Sequence, residues 1–139
     1  DAAMNEAVNQ ADLVLDGCDN FATRFQVNSA AVTNNTRLIS GAAIRFEGQI
    51  ATFGSDFSKS PCYRCLYQEA DETLDNCSGN GVLGPVPGVI GTMMAVDALK
   101  SLAGVDVRTG VLSLYDALSG DWQNVSIRKR KKCPACGNT

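Results

Sequence analysis

The 139-residue chain contains no histidine. That absence removes the mixed cysteine–histidine zinc sites and every serine or cysteine protease chemistry that needs an imidazole base. No apolar run approaches the ~20 residues needed to span a bilayer. The opening Asp1-Ala2-Ala3-Met4-Asn5-Glu6 has no basic stretch of the kind that begins a secretory signal. A cytoplasmic location without a membrane partner is therefore expected. Internal repeats and low-complexity linkers are absent, and no G-x-G-x-x-G joins the first strand to the helix after it. The length suits one core of ordinary size and is short for two domains.

Against these absences stand six cysteines, four of them in two pairs: Cys62-Tyr63-Arg64-Cys65 and Cys133-Pro134-Ala135-Cys136. Each C-x-x-C supplies two thiolates from a tight turn, and two such turns complete a tetrahedron. Pairs spaced this way without a secretory signal favour metal over disulfides. Cys62, Cys65, Cys133 and Cys136 are thus expected to hold a structural zinc. A four-thiolate site has no open position for water or substrate, so the chemistry must lie elsewhere.

The net charge of −3 is unevenly spread. All acidic residues precede position 128, while Arg128-Lys129-Arg130-Lys131-Lys132 form one basic run directly before the second C-x-x-C. Such a run beside a cysteine knuckle suits nucleic acid. A local role fits better. Four thiolates on Zn²⁺ leave a charge of about −2 that neighbouring cations offset, and no aromatic residues interleave the run.

Along the chain, residues 1–11 read as a short helix or turn. The apolar run 13–15 ends at Asp16-Gly17-Cys18-Asp19-Asn20 and suits a buried parallel strand. Cys18, at that strand end, reads as a small core residue. Residues 21–34 have helical periodicity, with Asp19 or Asn20 as N-cap. Strands are expected over 37–44 and 49–53, joined as a hairpin by Glu47-Gly48. The weakly patterned stretch 54–84 holds the first knuckle, an acidic cluster (Glu69, Asp71, Glu72, Asp75) and Cys77. A second helix is expected over 85–103, with prolines only at its entry. It is apolar enough to be buried on most faces, against the sheet or a second subunit. Two further strands, 111–115 and 122–127, flank a Ser119-Gly120 turn.

The strand-to-helix junction at 16–20 is the best place for chemistry. In open α/β sheets, ligands sit beyond the carboxyl ends of strands, where the next helix N-terminus favours anions. A lone carboxylate would repel phosphate, but it suits a hard cation such as Mg²⁺ that bridges to a nucleotide. On spacing alone, Asp19 as ligand and Asp19 as a mere helix cap are equally good readings.

Four segments, 13–24 (LVLDGCDNFATR), 38–49 (LISGAAIRFEGQ), 61–66 (PCYRCL) and 81–91 (GVLGPVPGVIG), followed by the terminal Cys133-Pro134-Ala135-Cys136, together resemble the MoeB/ThiF family in order and spacing. The molybdopterin-synthase branch resembles them most, through 40–49 and PCYRCL. The family comprises ATP-dependent adenylyltransferases related to the core of ubiquitin-activating enzymes. Its members activate the C-terminal Gly-Gly carboxylate of a ubiquitin-like sulfur-carrier protein as an acyl-adenylate. The resemblance implies that Asp19 binds Mg²⁺ and ATP, that Asn20 sits beside the nucleotide, and that Arg24 reaches the phosphates from the first helical turn, unless it is a surface residue. Asp16 then shapes the strand end. Cys77 matches a cysteine that some members use as an acyl-accepting or sulfur-relay nucleophile. Its own surroundings favour a non-essential thiol, because upstream acids would raise its pKa and no histidine is present to activate it.

The resemblance also implies a homodimer and a fold class of α/β. That fold is the C-terminal half of a Rossmann-like domain, its parallel strands continuing into antiparallel ones, with the four-cysteine zinc site. Residues 1–139 then form one unit, the C-terminal part of such a domain. The Gly-rich nucleotide-binding part is missing, so these residues alone are expected to be inactive. Two other readings compete: a non-catalytic zinc module that binds protein or nucleic acid, and a redox protein with the C-x-x-C pairs as dithiols.

Overall fold

In the computed structural model, residues 1–68 and 81–137 are described. The elements run α1 (Ala2–Gln10), β1 (Leu13–Asp16), α2 (Phe21–Asn34), β2 (Arg37–Ile44), β3 (Glu47–Phe53), α3 (Tyr63–Leu66), α4 (Pro85–Leu102), β4 (Val111–Asp116) and β5 (Asp121–Ser126). The strands make one sheet in sequence order. β1 and β2 are parallel, with Leu15 opposite Ile39. β2–β3, β3–β4 and β4–β5 are antiparallel. This is an α/β fold whose sheet is parallel at one side and antiparallel beyond it.

Period-two alternation divides the core across the sheet. On one face Leu38, Ala51 and Phe53 pack with Phe21 and Ala31 of α2 and with Phe57, Tyr63 and the four knuckle cysteines. On the other, Ile39 and Ile50 pack under Val86, Ile90, Met94 and Ala98 of α4. α2 buries Phe21, Arg24, Asn28 and Ala31. Their spacing places them on one helical face. Two of the four are polar, and both act in the sites described below.

Three sequence expectations change. The β2–β3 turn is Arg45-Phe46, with Arg45 at φ 53°, and Glu47 and Gly48 lie inside β3 opposite Ile44 and Ala43. Gly48 is there for packing: a Cβ at that position would sit 2.6 Å from Ile90 Cγ1 and 3.2 Å from Val86 Cγ1. α4 is also less covered than its composition suggests. Its Val86–Ile90–Met94–Ala98 stripe is buried, but Val89, Val96, Leu99 and Leu102 are exposed. Cys18 is half-buried beyond the end of β1 rather than in the core.

Candidate functional site

The junction after β1 is built by short-range bonds. Asp16, buried at the strand's last position, accepts the Cys18 amide at 2.9 Å. Asn20 caps α2, its Oδ1 accepting the Thr23 amide at 2.8 Å. An amide side chain at N-cap satisfies one of the helix's open donors. Asp19 is thereby relieved of the capping role and leaves its carboxylate exposed, with Asn20 Nδ2 at 3.4 Å. Burial raises the Cys18 thiol to about 11, and the hydrogen bond to Asp16 and that carboxylate's charge add to the effect.

Arg24 is buried, not a surface residue. Its guanidinium donates to Ser40 Oγ at 3.0 Å, to the Gly41 carbonyl at 2.6 Å and to the Cys18 carbonyl. It also lies 5.9 Å from the Tyr63 ring centre. One cation thus ties the Asp19 loop to β2. Beside that loop is a cleft of about 190 Å³, lined by Gly17, Asp19, Arg24, Ala43, Glu47 and Gln49 among others. Pro87 at the start of α4 and Leu114 of β4 close its sides. Asn20 flanks the loop, and Cys77 lies outside the described residues, as does the acidic cluster before it.

The second site is the cysteine cluster. Cys62, Cys65, Cys133 and Cys136 are all buried, and their sulfurs lie within 4.8 Å of one another. Cys62–Cys133 and Cys65–Cys136 approach to 3.7 and 3.5 Å. Those separations are far beyond a disulfide's roughly 2.05 Å. They match the spacing of about 3.8 Å that four sulfurs take at tetrahedral Zn–S bonds of about 2.3 Å. All four thus converge on one point rather than forming two independent dithiols, and the donor set fits a closed metal centre. Burial pushes the Cys62 and Cys65 thiols up. Burial opposes ionisation of Cys133 too, but the amides of Cys136 and Ala135 and neighbouring thiols outweigh it and bring it down to about 7.

The basic run is partly folded onto this cluster. Lys129 Nζ donates to the Phe57 and Cys136 carbonyls and to Cys136 Sγ, and the Arg130 amide donates to Cys65 Sγ at 3.4 Å. Only Arg128, Lys131 and Lys132 of the run are exposed. This favours the local electrostatic role over a nucleic-acid surface. The sequence reading anticipated a cation of this run at the thiolates, which is Lys129, but missed Asn28. A polar side chain on the inward face of α2, one turn after Arg24, was the available signal for Asn28.

Residues 1–135 match the ThiF family. The chain belongs to that family. Among curated relatives, the sulfur carrier protein ThiS adenylyltransferase of Escherichia coli is 42% identical over 137 residues, covering 99% of this chain and 54% of the relative. The sulfur carrier protein adenylyltransferase of Thermus thermophilus is 40% identical, covering 96% of this chain and 51% of the relative. The adenylyltransferase and sulfurtransferase MOCS3 of Xenopus laevis is also 40% identical, with 30% of its length covered. The chain thus spans about half the length, or less, of these adenylyltransferases. Among solved structures, Escherichia coli MccB with MccA-N7isoASN superposes with a TM-score of 0.76 at 18% identity, over 99% of this chain and 44% of that one. The same fold is therefore shared with MccB, parallel-then-antiparallel sheet included. No helix among the described residues is long and apolar enough to cross a membrane.

Proposed function

We propose that this ThiF-family chain is the carrier-engaging, metal-bearing part of an ATP-dependent adenylyltransferase. The parent enzyme joins the C-terminal Gly-Gly carboxylate of a ubiquitin-like sulfur-carrier protein to AMP, releasing pyrophosphate, in molybdopterin or thiamine biosynthesis. Residues 1–139 are read as one unit, the C-terminal part of the adenylylating domain. The observation that carries this reading is Asp19. Its carboxylate is exposed at the mouth of the cleft, spared from capping because Asn20 does that work.

One exposed carboxylate suits Mg²⁺, which keeps several waters and takes one or two protein carboxylates beside substrate phosphates. Mg²⁺ held by Asp19 would supply charge neutralisation for the nucleotide. The chain's own residues do the rest by placement. Arg24 is proposed to act mainly through the loop it holds, since it already bonds the Cys18 and Gly41 carbonyls. Asn20 fixes the start of α2 next to the nucleotide. Ala42, Ala43 and Gly48 along the cleft are small enough to admit an extended glycine tail against β2 and β3. Arg24 is the single cation lining the cleft among the described residues. Because they span only about half the length of related adenylyltransferases, residues 1–139 by themselves are proposed to be inactive. The closed cysteine centre is assigned to structural zinc, and the exposed Val96, Leu99 and Leu102 of α4 to the contact with a second copy in a cytoplasmic homodimer.

Carrier-dependent ATP–pyrophosphate exchange tests the reading. The full-length enzyme is expected to exchange, the 139 residues alone not to, and full-length Asp19→Asn to lose at least about a hundredfold, the scale of one electrostatic catalytic contact. Cys77→Ala is expected to leave exchange at the parent level. Robust exchange by the 139 residues, or an unimpaired Asp19→Asn enzyme, overturns the assignment.

A further inference from the structure

The bonds around the cysteine cluster have a polarity that the cluster alone does not require. Asn28 is fully buried. Its Oδ1 accepts the Tyr63 amide at 2.9 Å, and its Nδ2 stands 3.5 Å from Cys62 Sγ. A backbone N–H can only donate, so the carboxamide oxygen must face Tyr63 and the NH₂ must face the sulfur. Lys129 is equally constrained. An ammonium has three protons and no lone pair, and Nζ has three acceptors: the Phe57 carbonyl at 2.6 Å, the Cys136 carbonyl at 2.7 Å and Cys136 Sγ at 3.1 Å. The Arg130 amide donates to Cys65 Sγ, and the Ala135 and Cys136 amides serve Cys133.

Every sulfur of the cluster is therefore an acceptor of at least one N–H. That arrangement stabilises thiolates, whose lone pairs accept well, and four thiolates around a dication carry a net charge of about −2 in a buried place. Two of these donors are side chains and can be altered without touching a ligand or the backbone.

We propose that Asn28 and Lys129 are positioning residues that set how tightly the four-cysteine centre holds its metal: Asn28 by orienting Cys62 from α2, Lys129 by neutralising charge at Cys136. Neither side chain binds the metal. Each acts through the sulfur it donates to, as outer partners of metal ligands do. Asn28 is also one helical turn from Arg24, so the residue that grips the knuckle and the residue that grips the Asp19 loop share one face of α2.

The test is zinc competition against a chromophoric chelator, using the intact protein, with Lys129→Met, Lys129→Arg, Asn28→Asp and Arg128→Gln. Asn28→Asp keeps the shape and the acceptor for Tyr63 but removes the donor to Cys62. Lys129→Met and Asn28→Asp are each expected to weaken zinc binding about tenfold to a hundredfold. Lys129→Arg should lose less than Lys129→Met. Arg128→Gln, which removes an exposed charge, should leave affinity unchanged. A second readout is independent of overall stability. In cobalt-loaded Lys129→Met at saturating metal, the sulfur-to-cobalt charge-transfer band should move to longer wavelength, because a sulfur that loses its N–H donor gives up electrons more easily. Parent-like affinity and an unshifted band in the variants overturn the roles of Asn28 and Lys129. Equal losses in Arg128→Gln and Lys129→Met overturn the specific contact and leave only net charge. A parent protein that takes up no zinc overturns the metal centre itself.

Discussion

Asp19 and Asn20 are adjacent and chemically alike as helix caps, and a single bond to the Thr23 amide separates their roles. The sequence placed both at the junction but left open which would cap, since that depends on the angle at which the chain enters α2. Cys18 shows the same limit. Its place at the end of a buried strand suggested the core, whereas the structure leaves it half-buried against Asp16. With its thiol raised to about 11, chiefly by burial, Cys18 is protonated at neutral pH, and only about one molecule in a thousand carries a thiolate at pH 8. Alkylation of Cys18 by iodoacetamide, followed by peptide mass spectrometry, should rise about tenfold per pH unit from 8 to 10 and level off only above about 11. A plateau reached by about pH 10, the behaviour of an ordinary thiol of pKa about 8.5, would refute this.

Elements were easier to read than their joints. The short apolar runs at 13–15 and 37–44 and the periodicity of 21–34 became β1, β2 and α2 because local pattern and burial agree there. The β2–β3 turn was misplaced because a glycine usually signals a turn, while Gly48 instead lets α4 approach the sheet. Gly48→Ala should therefore destabilise the fold by about 1–3 kcal/mol, the usual cost of overfilling a tight core site. Urea denaturation of the purified protein measures it, and an unchanged midpoint would show that Ile90 and Val86 yield without strain. α4 taught the converse lesson. Its composition is nearly uniform, so periodicity alone does not reveal that one stripe meets the sheet and another stays exposed.

At the scale of the molecule, the cysteine centre joins three distant parts: the α3 knuckle, the C-terminal turn and, through Asn28, the middle of α2. Removing the metal should be felt along those links. Chelation followed by hydrogen exchange is expected to raise exchange at 62–67, at 127–137 and in the turn of α2 around Asn28. α4, whose buried stripe belongs to the other core cluster, should keep its protection. Equal loss of protection in α4 would mean that the metal holds the whole fold rather than one face of it. Arg24 lies on the same side of the sheet as the metal centre, so the Asp19 loop should loosen more than α4.

By itself the sequence determined the chemistry of the metal ligands, the exclusion of histidine-based sites, the strand-to-helix unit around Asp19 and the family resemblance. Each of these rests on residue type, short spacing or ordered motifs, which survive without coordinates. The tertiary structure decided that Asn20 rather than Asp19 caps α2, that Arg24 points inward, that Lys129 donates to a sulfur, and that Asn28 meets Cys62 and Tyr63. Those facts depend on which groups meet across tens of residues. A buried polar side chain takes its role from the partner that satisfies its hydrogen bonds, and only the folded chain brings that partner within reach.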